Sequence, residues 1–420
     1  MRITRFRIQG FKNIADVSVD GLSDINIFFG LNDVGKSNIF EAIALWHRLL
    51  ATSRSPNHSE SHEDFERNFG TSLFSLGGPT ELGLDVELIL EVSDLQRKNL
   101  FPDVVSHLRN HLRHTNESQL NVTSQVKSVL DSNKASIRSK AYWGDRTDVE
   151  LHPKDLANVV PPIHIIPAER RFFVEQRNTD KIAESISHEN LKKALFYAYL
   201  SSDIQQKKRF GAIKTVLSEP PFSLGELDVA LDPGNDQIDI GFIRPYGRLP
   251  LENLGSGSQQ LLLVLGQVFL NDFPIIALEE PEMNLSPQRQ QELMVALRRL
   301  MQDPAIGLKQ LFISTHSPYF EFTENFYDVT LDESGHTQVT RTTEQDWNTH
   351  FAVAPLGPET GARLNSLNQV RLYDGLIDDL DLQRGDLVVF VRNDAGRWEV
   401  RRAEEIANDL KPITASNGKS

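Results

Sequence analysis

No cysteine occurs among the 420 residues, which excludes disulfides, thiolate metal sites and cysteine nucleophiles together. A long hydrophobic run is missing as well. The longest, Leu261 to Leu270, is interrupted by Gly266 and Gln267 and is far too short to span a bilayer. The opening Met1-Arg2-Ile3-Thr4-Arg5-Phe6 lacks the apolar stretch of a secretory signal. A cysteine-free chain without such segments is expected to work in a reducing cytoplasm, with no membrane partner. Nor is positive charge in excess: 44 Lys and Arg stand against 58 Asp and Glu, a formal net charge of −14. That balance argues against indiscriminate coating of nucleic acid. It leaves room for a local basic groove. From Arg97 to Lys140 there are eight Lys/Arg against three Asp/Glu, with His107, His111 and His114. A solvated helical face and a nucleic-acid or partner contact both fit that composition.

What is present suits a sizeable core: hydrophobic residues make up 39% of the chain, and the length allows roughly two or three domains. Ile3, Phe6, Ile8, Val17, Val19, Ile25 and Ile27, with turns at Gly10 and Asp20-Gly21, predict short strands ending at Gly30. An amphipathic helix follows, carrying Ile39, Ile43, Trp46 and Leu49-Leu50 on one face. Ala51 to about Pro79 is polar and suggests a loop. Leu82 to Leu90 alternates as a strand, and the basic segment after it has patchy helical spacing to about Ser139. Ile163 to Ile166 predicts a short buried strand, Ile182 to Leu217 a helical segment, and Gly225 to Arg244 a hairpin. A last hairpin is expected from Leu387-Val391, a turn at Asn393 to Gly396, and Trp398-Val400. There is no internal repeat and no sustained heptad.

Gly30-Leu31-Asn32-Asp33-Val34-Gly35-Lys36-Ser37 matches G-x-x-x-x-G-K-[ST] between an apolar strand and a helix. Its glycines let the backbone wrap phosphates, whose charge meets the loop N–H groups and the helix N-terminus. Lys36 would reach the β- and γ-phosphates, and Ser37 would ligand Mg²⁺. Binding of ATP or GTP follows. Pro274-Ile275-Ile276-Ala277-Leu278 then leads into Glu279-Glu280-Pro281. A parallel strand would deliver both carboxylates to the sheet edge beside the phosphates. Glu279 would hold the Mg²⁺ hydration shell, and Glu280 would polarise the attacking water.

Upstream, Leu254-Gly255-Ser256-Gly257-Ser258-Gln259-Gln260 opens a helix with small residues. Downstream, Leu311-Phe312-Ile313-Ser314-Thr315-His316-Ser317-Pro318 sets a histidine just past a strand. Together with the opening "ITRFRIQGFKNI", the "IPAERR" segment and Glu279-Glu280-Pro281-Glu282-Met283-Asn284-Leu285-Ser286-Pro287, these resemble the OLD-like and SMC/RecF-like ABC-type ATPases. The likeness covers about 1–50, 160–175 and 250–320. It implies an α/β fold of ABC-ATPase type, with a mixed central sheet, an antiparallel β subdomain and a helical lobe. The head would span 1–330, interrupted by an insertion at about 51–158 and a helical segment at about 180–218. A C-terminal α+β extension would occupy 331–420.

The resemblance also assigns roles. Lys12, Asn13, Gly30, Asn32, Gly35 and Asn38 would lie with Lys36 and Ser37 around the nucleotide. Ser256, Gly257 and Gln259 would read the γ-phosphate bound by an opposing subunit. His316 would sense that phosphate, and Asn284 to Pro287 would couple the two sites. A homodimer or higher homo-oligomer built around ATP is therefore expected. The signature departs from the family pattern, Gly-Ser-Gly-Ser-Gln replacing Leu-Ser-Gly-Gly-Gln, and no Q-loop glutamine is evident beyond the candidate Gln176. OLD proteins carry a Toprim nuclease domain, but Asp379-Leu380-Asp381 has no apolar strand running into it, so an acidic surface is expected there. The function implied is an ATPase controlling a separate effector, a nuclease or toxin, in defence against phage or foreign DNA. A RecF-like ATPase binding DNA directly, and an ATP-gated scaffold with negligible turnover, are the alternatives.

Overall fold

The computed structural model describes residues 1–53, 57–69, 74, 81–91, 119–130, 134–143, 146–150, 156–158, 160, 162–172, 186–232, 237–303, 306–317, 320, 325–342, 388–392 and 398–402. They belong to two units, Met1–Thr343 and Glu344–Ser420.

The centre of the first unit is a sheet in which β3 (Ile25–Phe29), β9 (His164–Ile166), β13 (Ile275–Glu279), β14 (Gln310–Thr315) and β15 (Asn325–Leu331) run parallel. β16 (Thr337–Thr342) closes one edge antiparallel to β15, giving the order β16-β15-β3-β14-β13-β9. Every residue of β3 and β14 is buried, as parallel strands covered on both faces require. Alternate residues feed two cores. Phe28, Ile275, Ala277, Phe312 and Tyr327 face one, while Ile27, Phe29, Ile276, Leu278 and Ile313 face the other.

The first core is closed by α1 (Lys36–Thr52) and a seven-stranded antiparallel sheet. Its strands are β1 (Arg2–Phe11), β2 (Ile14–Asp20), β4 (Asn57–Ser61), β5 (Glu81–Glu91), β6 (Gln119–Leu130), β7 (Lys134–Trp143) and β8 (Arg146–Glu150). The order is β2-β1-β5-β6-β7-β4, with β8 beside β7. The basic segment is therefore not helical where it is described. Val122, Ser124, Val126, Ser128 and Leu130 alternate inward, and the two inward serines hide a period of two. Ser124 is there for a reason: its Oγ accepts the indole N–H of buried Trp46 at 3.0 Å. The polar stretch after Ala51 is likewise structured in part, as β4 and α2 (His62–Phe69), whose Phe65 is fully buried. β5, β6 and β7 extend the sheet begun by β1, so this part of 51–158 builds the antiparallel subdomain itself.

The second core holds the helical lobe: α3 (Leu191–Leu200), α4 (Ile204–Ser218) and α5 (Ser256–Leu270). The expected helical stretch breaks at Ser201 to Asp203, because the Asp203 carboxylate caps α4 by accepting from the Gln205 N–H at 2.8 Å. Helix α5 is buried all round from Gln260 to Leu270, which explains its uninterrupted leucines. A three-stranded sheet of β10 (Glu226–Asp232), β11 (Gln237–Arg244) and β12 (Gly247–Pro250) packs on this lobe. Helix α6 (Pro287–Gln302) follows β13, with Ser286 as N-cap and Pro287 in the first turn. Among the described residues no helix is long and apolar enough to cross a membrane.

In the second unit, β17 (Val388–Arg392) pairs antiparallel with β18 (Trp398–Arg402), the expected hairpin. Gln176, Asp379, Asp381 and residues 92–118 of the basic segment lie outside the described residues.

One half-buried histidine makes the edge of the central sheet sensitive to acid. His164 on β9 stacks on Phe273 with 4.9 Å between ring centroids, and its Nε2 accepts from the Asn271 amide at 3.1 Å. Burial pushes its pKa down to about 4. The unfolded chain therefore takes up this proton first, and the neutral ring's contribution, complete above about pH 6.5, is lost as pH falls through 4. His164→Gln is expected to soften the fall in stability between pH 7 and pH 5 by about 2 kcal/mol. Denaturant unfolding of both proteins at the two pH values measures it, and equal pH slopes would contradict it.

Candidate functional site

The site forms where the parallel strands end. β3 runs into the phosphate loop, and the Gly30 N–H bonds to the Thr315 carbonyl of neighbouring β14 at 3.1 Å. The turn needs left-handed backbone at Asp33 (φ 65°) and Gly35 (φ 99°). A side chain at Gly35 would also strike Thr337 Oγ1 at 2.2 Å, so glycine is required there twice over. Thr337, the first residue of β16, bonds through Oγ1 to the Val34 carbonyl and through its N–H to the Asn13 carbonyl. Asn13 Oδ1 accepts from the Asn38 amide at 2.8 Å. Asn13 and Asn38 thus brace the loop from outside. Lys12 is committed to an ion pair with Glu41 of α1.

Lys36 is buried, and its ammonium donates to the carbonyls of Gly30 at 2.8 Å and Leu31 at 2.7 Å. Burial lowers its pKa, opposed by Glu280, Glu282, Asp33 and Glu279 in that order. The same ranking shows how tightly the carboxylates crowd the loop. Ser37, the next residue, brings its hydroxyl near the Glu279 carboxylate. Burial raises the Glu279 pKa, against the lowering pull of the Ser37 hydroxyl and the Ala168 backbone. The two residues assigned to Mg²⁺ from the sequence are therefore neighbours, one at the start of α1 and the other at the end of β13.

Glu280 has φ 40°, and its N–H bonds to the Ser314 carbonyl at 2.8 Å. His316 Nδ1 stands 3.5 Å from carboxylate oxygens of both Glu280 and Glu282. Glu282 is deeply buried. Its Oε1 accepts from Thr315 Oγ1 at 2.6 Å and from the His316 N–H at 3.0 Å, while its Oε2 is buried without a hydrogen-bond partner. Burial pushes its pKa up, against those bonds. Opposite this group lies Arg170, buried just past β9, whose pKa burial lowers to about 10 against the pull of Glu282, Glu279 and Glu280. It remains charged at neutral pH.

Sequence reasoning missed Glu282 and Arg170 as members of the cluster. The signals were present in "EEPE" and "IPAERR", two charged residues placed directly against buried strand ends.

The signature run sits apart, at the N-terminus of α5. Ser256 is exposed, and Gly257 lies so close to the Asn284 carbonyl that a Cβ would approach it to 2.9 Å. Asn284 itself is left-handed, with φ 61°. Gln259 spends its amide group on the carbonyls of Leu251 and Leu254, both at 3.1 Å, and so pins the turn before the helix. Asn32 is exposed on the phosphate loop.

Residues 1–320 match the family model for the AAA ATPase domain. An ATP/GTP phosphatase of Helicobacter pylori is 23% identical over 342 residues, covering 76% of this chain and 86% of that protein. The DNA replication and repair protein RecF of Lactobacillus delbrueckii subsp. bulgaricus is 34% identical over 93 residues, 21% of this chain and 23% of RecF. Among solved structures, an SMC head bound to the C-winged helix domain of ScpA aligns over 83% of this chain and all of that one. Its identity is 14% and its TM-score 0.48. With a family model spanning most of the chain and the nucleotide-loop fold intact, the chain belongs to the AAA ATPase domain family, as an ATPase that hydrolyses ATP.

Proposed function

We propose that two copies of this chain close around ATP in the cytoplasm. Hydrolysis there controls a separate effector, a nuclease or toxin, in bacterial defence against phage or foreign DNA. The observation that carries the chemical part is the Ser37 hydroxyl against the Glu279 carboxylate, with the Glu280–His316 pair beside them. A hydroxyl and a carboxylate on facing elements fit a hard cation that keeps water and phosphate as its remaining ligands. Among the described residues no three His, Asp or Glu side chains converge to hold a metal by themselves. Mg²⁺ bound there supplies charge neutralisation of the phosphate oxygens.

The rest is done by the chain. Lys36 would exchange the carbonyls of Gly30 and Leu31 for the β- and γ-phosphates, and the loop N–H groups would donate to them. Glu280 would take the proton of the attacking water and become neutral as the oxygen attacks the γ-phosphate, with His316 Nδ1 3.5 Å from the same carboxylate. Water-poor surroundings around Lys36, Glu279 and Glu282 strengthen each of these interactions.

Closure between two copies is supported by Ser256, exposed at a helix start, and by Gly257 packed on the segment that begins at Asn284. Both stand where the family resemblance sets the γ-phosphate of an opposing subunit. The defence role rests on the likeness of the Glu279–Pro287 block to OLD-type ATPases. The local match to RecF favours a second reading, in which the ATPase engages DNA itself; ATP-dependent DNA affinity with a steep salt slope would select it. Because the Helicobacter relative's name covers both nucleotides, ATP and GTP are both to be tested.

Lys36→Ala is expected to abolish nucleotide binding, measured with a fluorescent ATP analogue; binding at wild-type affinity would remove the phosphate-loop assignment. Glu280→Gln is expected to bind ATP normally and turn over about 10²–10⁴-fold more slowly. It should also accumulate as an ATP-bound dimer in sedimentation. A monomer at every protein concentration with ATP present would overturn the dimer reading.

A further inference from the structure

Arg170 sets both terminal nitrogens of its guanidinium on the backbone that carries the reacting carboxylates. It is only 4% exposed. Its Nη1 donates to the carbonyls of Pro167 at 2.5 Å and Glu279 at 2.9 Å, and its Nη2 donates to the carbonyl of Glu280 at 2.9 Å. Its Nε donates to Gln260 Oε1 at 3.3 Å, and Gln260 Nε2 returns a bond to the Arg170 carbonyl at 3.0 Å. A planar fork of donors is what reaches consecutive carbonyls and a side-chain amide at once; an ammonium cannot.

The target of the fork explains the expenditure. Glu280 adopts φ 40°, a left-handed conformation unfavourable to a residue with a Cβ and held only where its surroundings over-determine it. The Ser314 carbonyl fixes its N–H, and Arg170 fixes its carbonyl. With both flanking peptides anchored, the direction in which the Glu280 carboxylate leaves the backbone is set. Gln260 adds a second link. It follows Gln259 directly in α5, so the helix that presents Ser256 and Gly257 is joined to the end of β13 through one amide and one guanidinium.

We infer that Arg170 is a positioning residue for hydrolysis, holding the left-handed Glu280 peptide through the Glu279 and Glu280 carbonyls, and that Gln260 ties this hold to the seating of α5. The inference rests on Glu280 acting as the base.

The test compares Arg170→Lys and Gln260→Leu in the full chain with wild type and Glu280→Gln, reading thermal melting, ATP-analogue affinity, kcat and KM. Gln260→Leu sets an apolar side chain beside the buried leucines of α5, so it serves if Arg170→Lys folds poorly. Both variants are expected to bind ATP with wild-type affinity and KM, while kcat falls about 10- to 100-fold for Arg170→Lys and less for Gln260→Leu. Wild-type kcat in both, with Glu280→Gln inactive, overturns the inference alone. A parallel loss of ATP affinity and turnover in both also overturns it, because Arg170 would then only support the fold. Wild-type turnover in Glu280→Gln removes the base and the inference together.

Discussion

The arrangement on which everything else depends is a set of charges kept from water at the carboxyl edge of the central sheet. Glu282 is a buried carboxylate and Glu279 a half-buried one, and the buried cations Lys36 and Arg170 feel the pull of both. No single pair carries the balance, since each cation feels several of the acids. Replacing a buried ion pair by well-packed apolar residues stabilises other proteins by up to about 4 kcal/mol, so the chain keeps this cluster at the expense of stability. The remaining architecture serves to hold it. β3 and β13 run parallel on either side of β14, bringing Ser37 to Glu279, and β14 ends where Thr315 and the His316 N–H cap Glu282.

Much of this was legible in the sequence where chemistry and periodicity agree. The phosphate loop needs two glycines, a lysine and a hydroxyl between strand and helix. Nothing else in the chain asks for that combination, and the structure puts Ser37 against Glu279. β3, β9, β13 and β14 were equally plain as short apolar runs, whereas β15, whose Asn325 and Asp328 break the apolar run, was not anticipated. The basic segment misled because strand periodicity was carried partly by serine. Ser124 and Ser128 point inward, one of them to bond Trp46, a residue almost eighty positions away. No local pattern contains that fact. Asp203 shows the reverse: the cap that splits the helical stretch was written in a local signal and overlooked in favour of continuous helical spacing.

Glu282 and Arg170 escaped for a different reason. A charged residue is ordinarily read as exposed, and only the fold reveals that these two are enclosed. Glu282 is the more telling. Its Oε2 lies buried without a hydrogen-bond partner while Oε1 takes two donors, an uneven solvation that a purely structural residue has little reason to keep. It bonds both the His316 N–H and the strand end at Thr315, so His316 Nδ1 lies 3.5 Å from two carboxylates where the Glu279-Glu280 pair alone suggested one.

The departures of the signature run from its family pattern become intelligible at the level of single atoms. Gly255 has ordinary extended backbone, φ −61° and ψ 148°, and a Cβ built there meets nothing within 4 Å. A leucine or a glycine fits equally, so this substitution is neutral to the local backbone. Gly257 is different, because the Asn284 carbonyl leaves a Cβ only 2.9 Å. Asn284, in turn, occupies left-handed backbone, which asparagine tolerates better than most residues. The sequence therefore varies where the geometry is permissive and keeps its small residue where two backbones meet. Seen this way, Gly257 and Asn284 form one close approach between the start of α5 and the segment leaving β13. Gln260 and Arg170 form a second, only three residues further along the same helix. Two contacts on one helix fix both its position and its rotation relative to Glu279 and Glu280, which is the geometry a mechanical link between those elements requires.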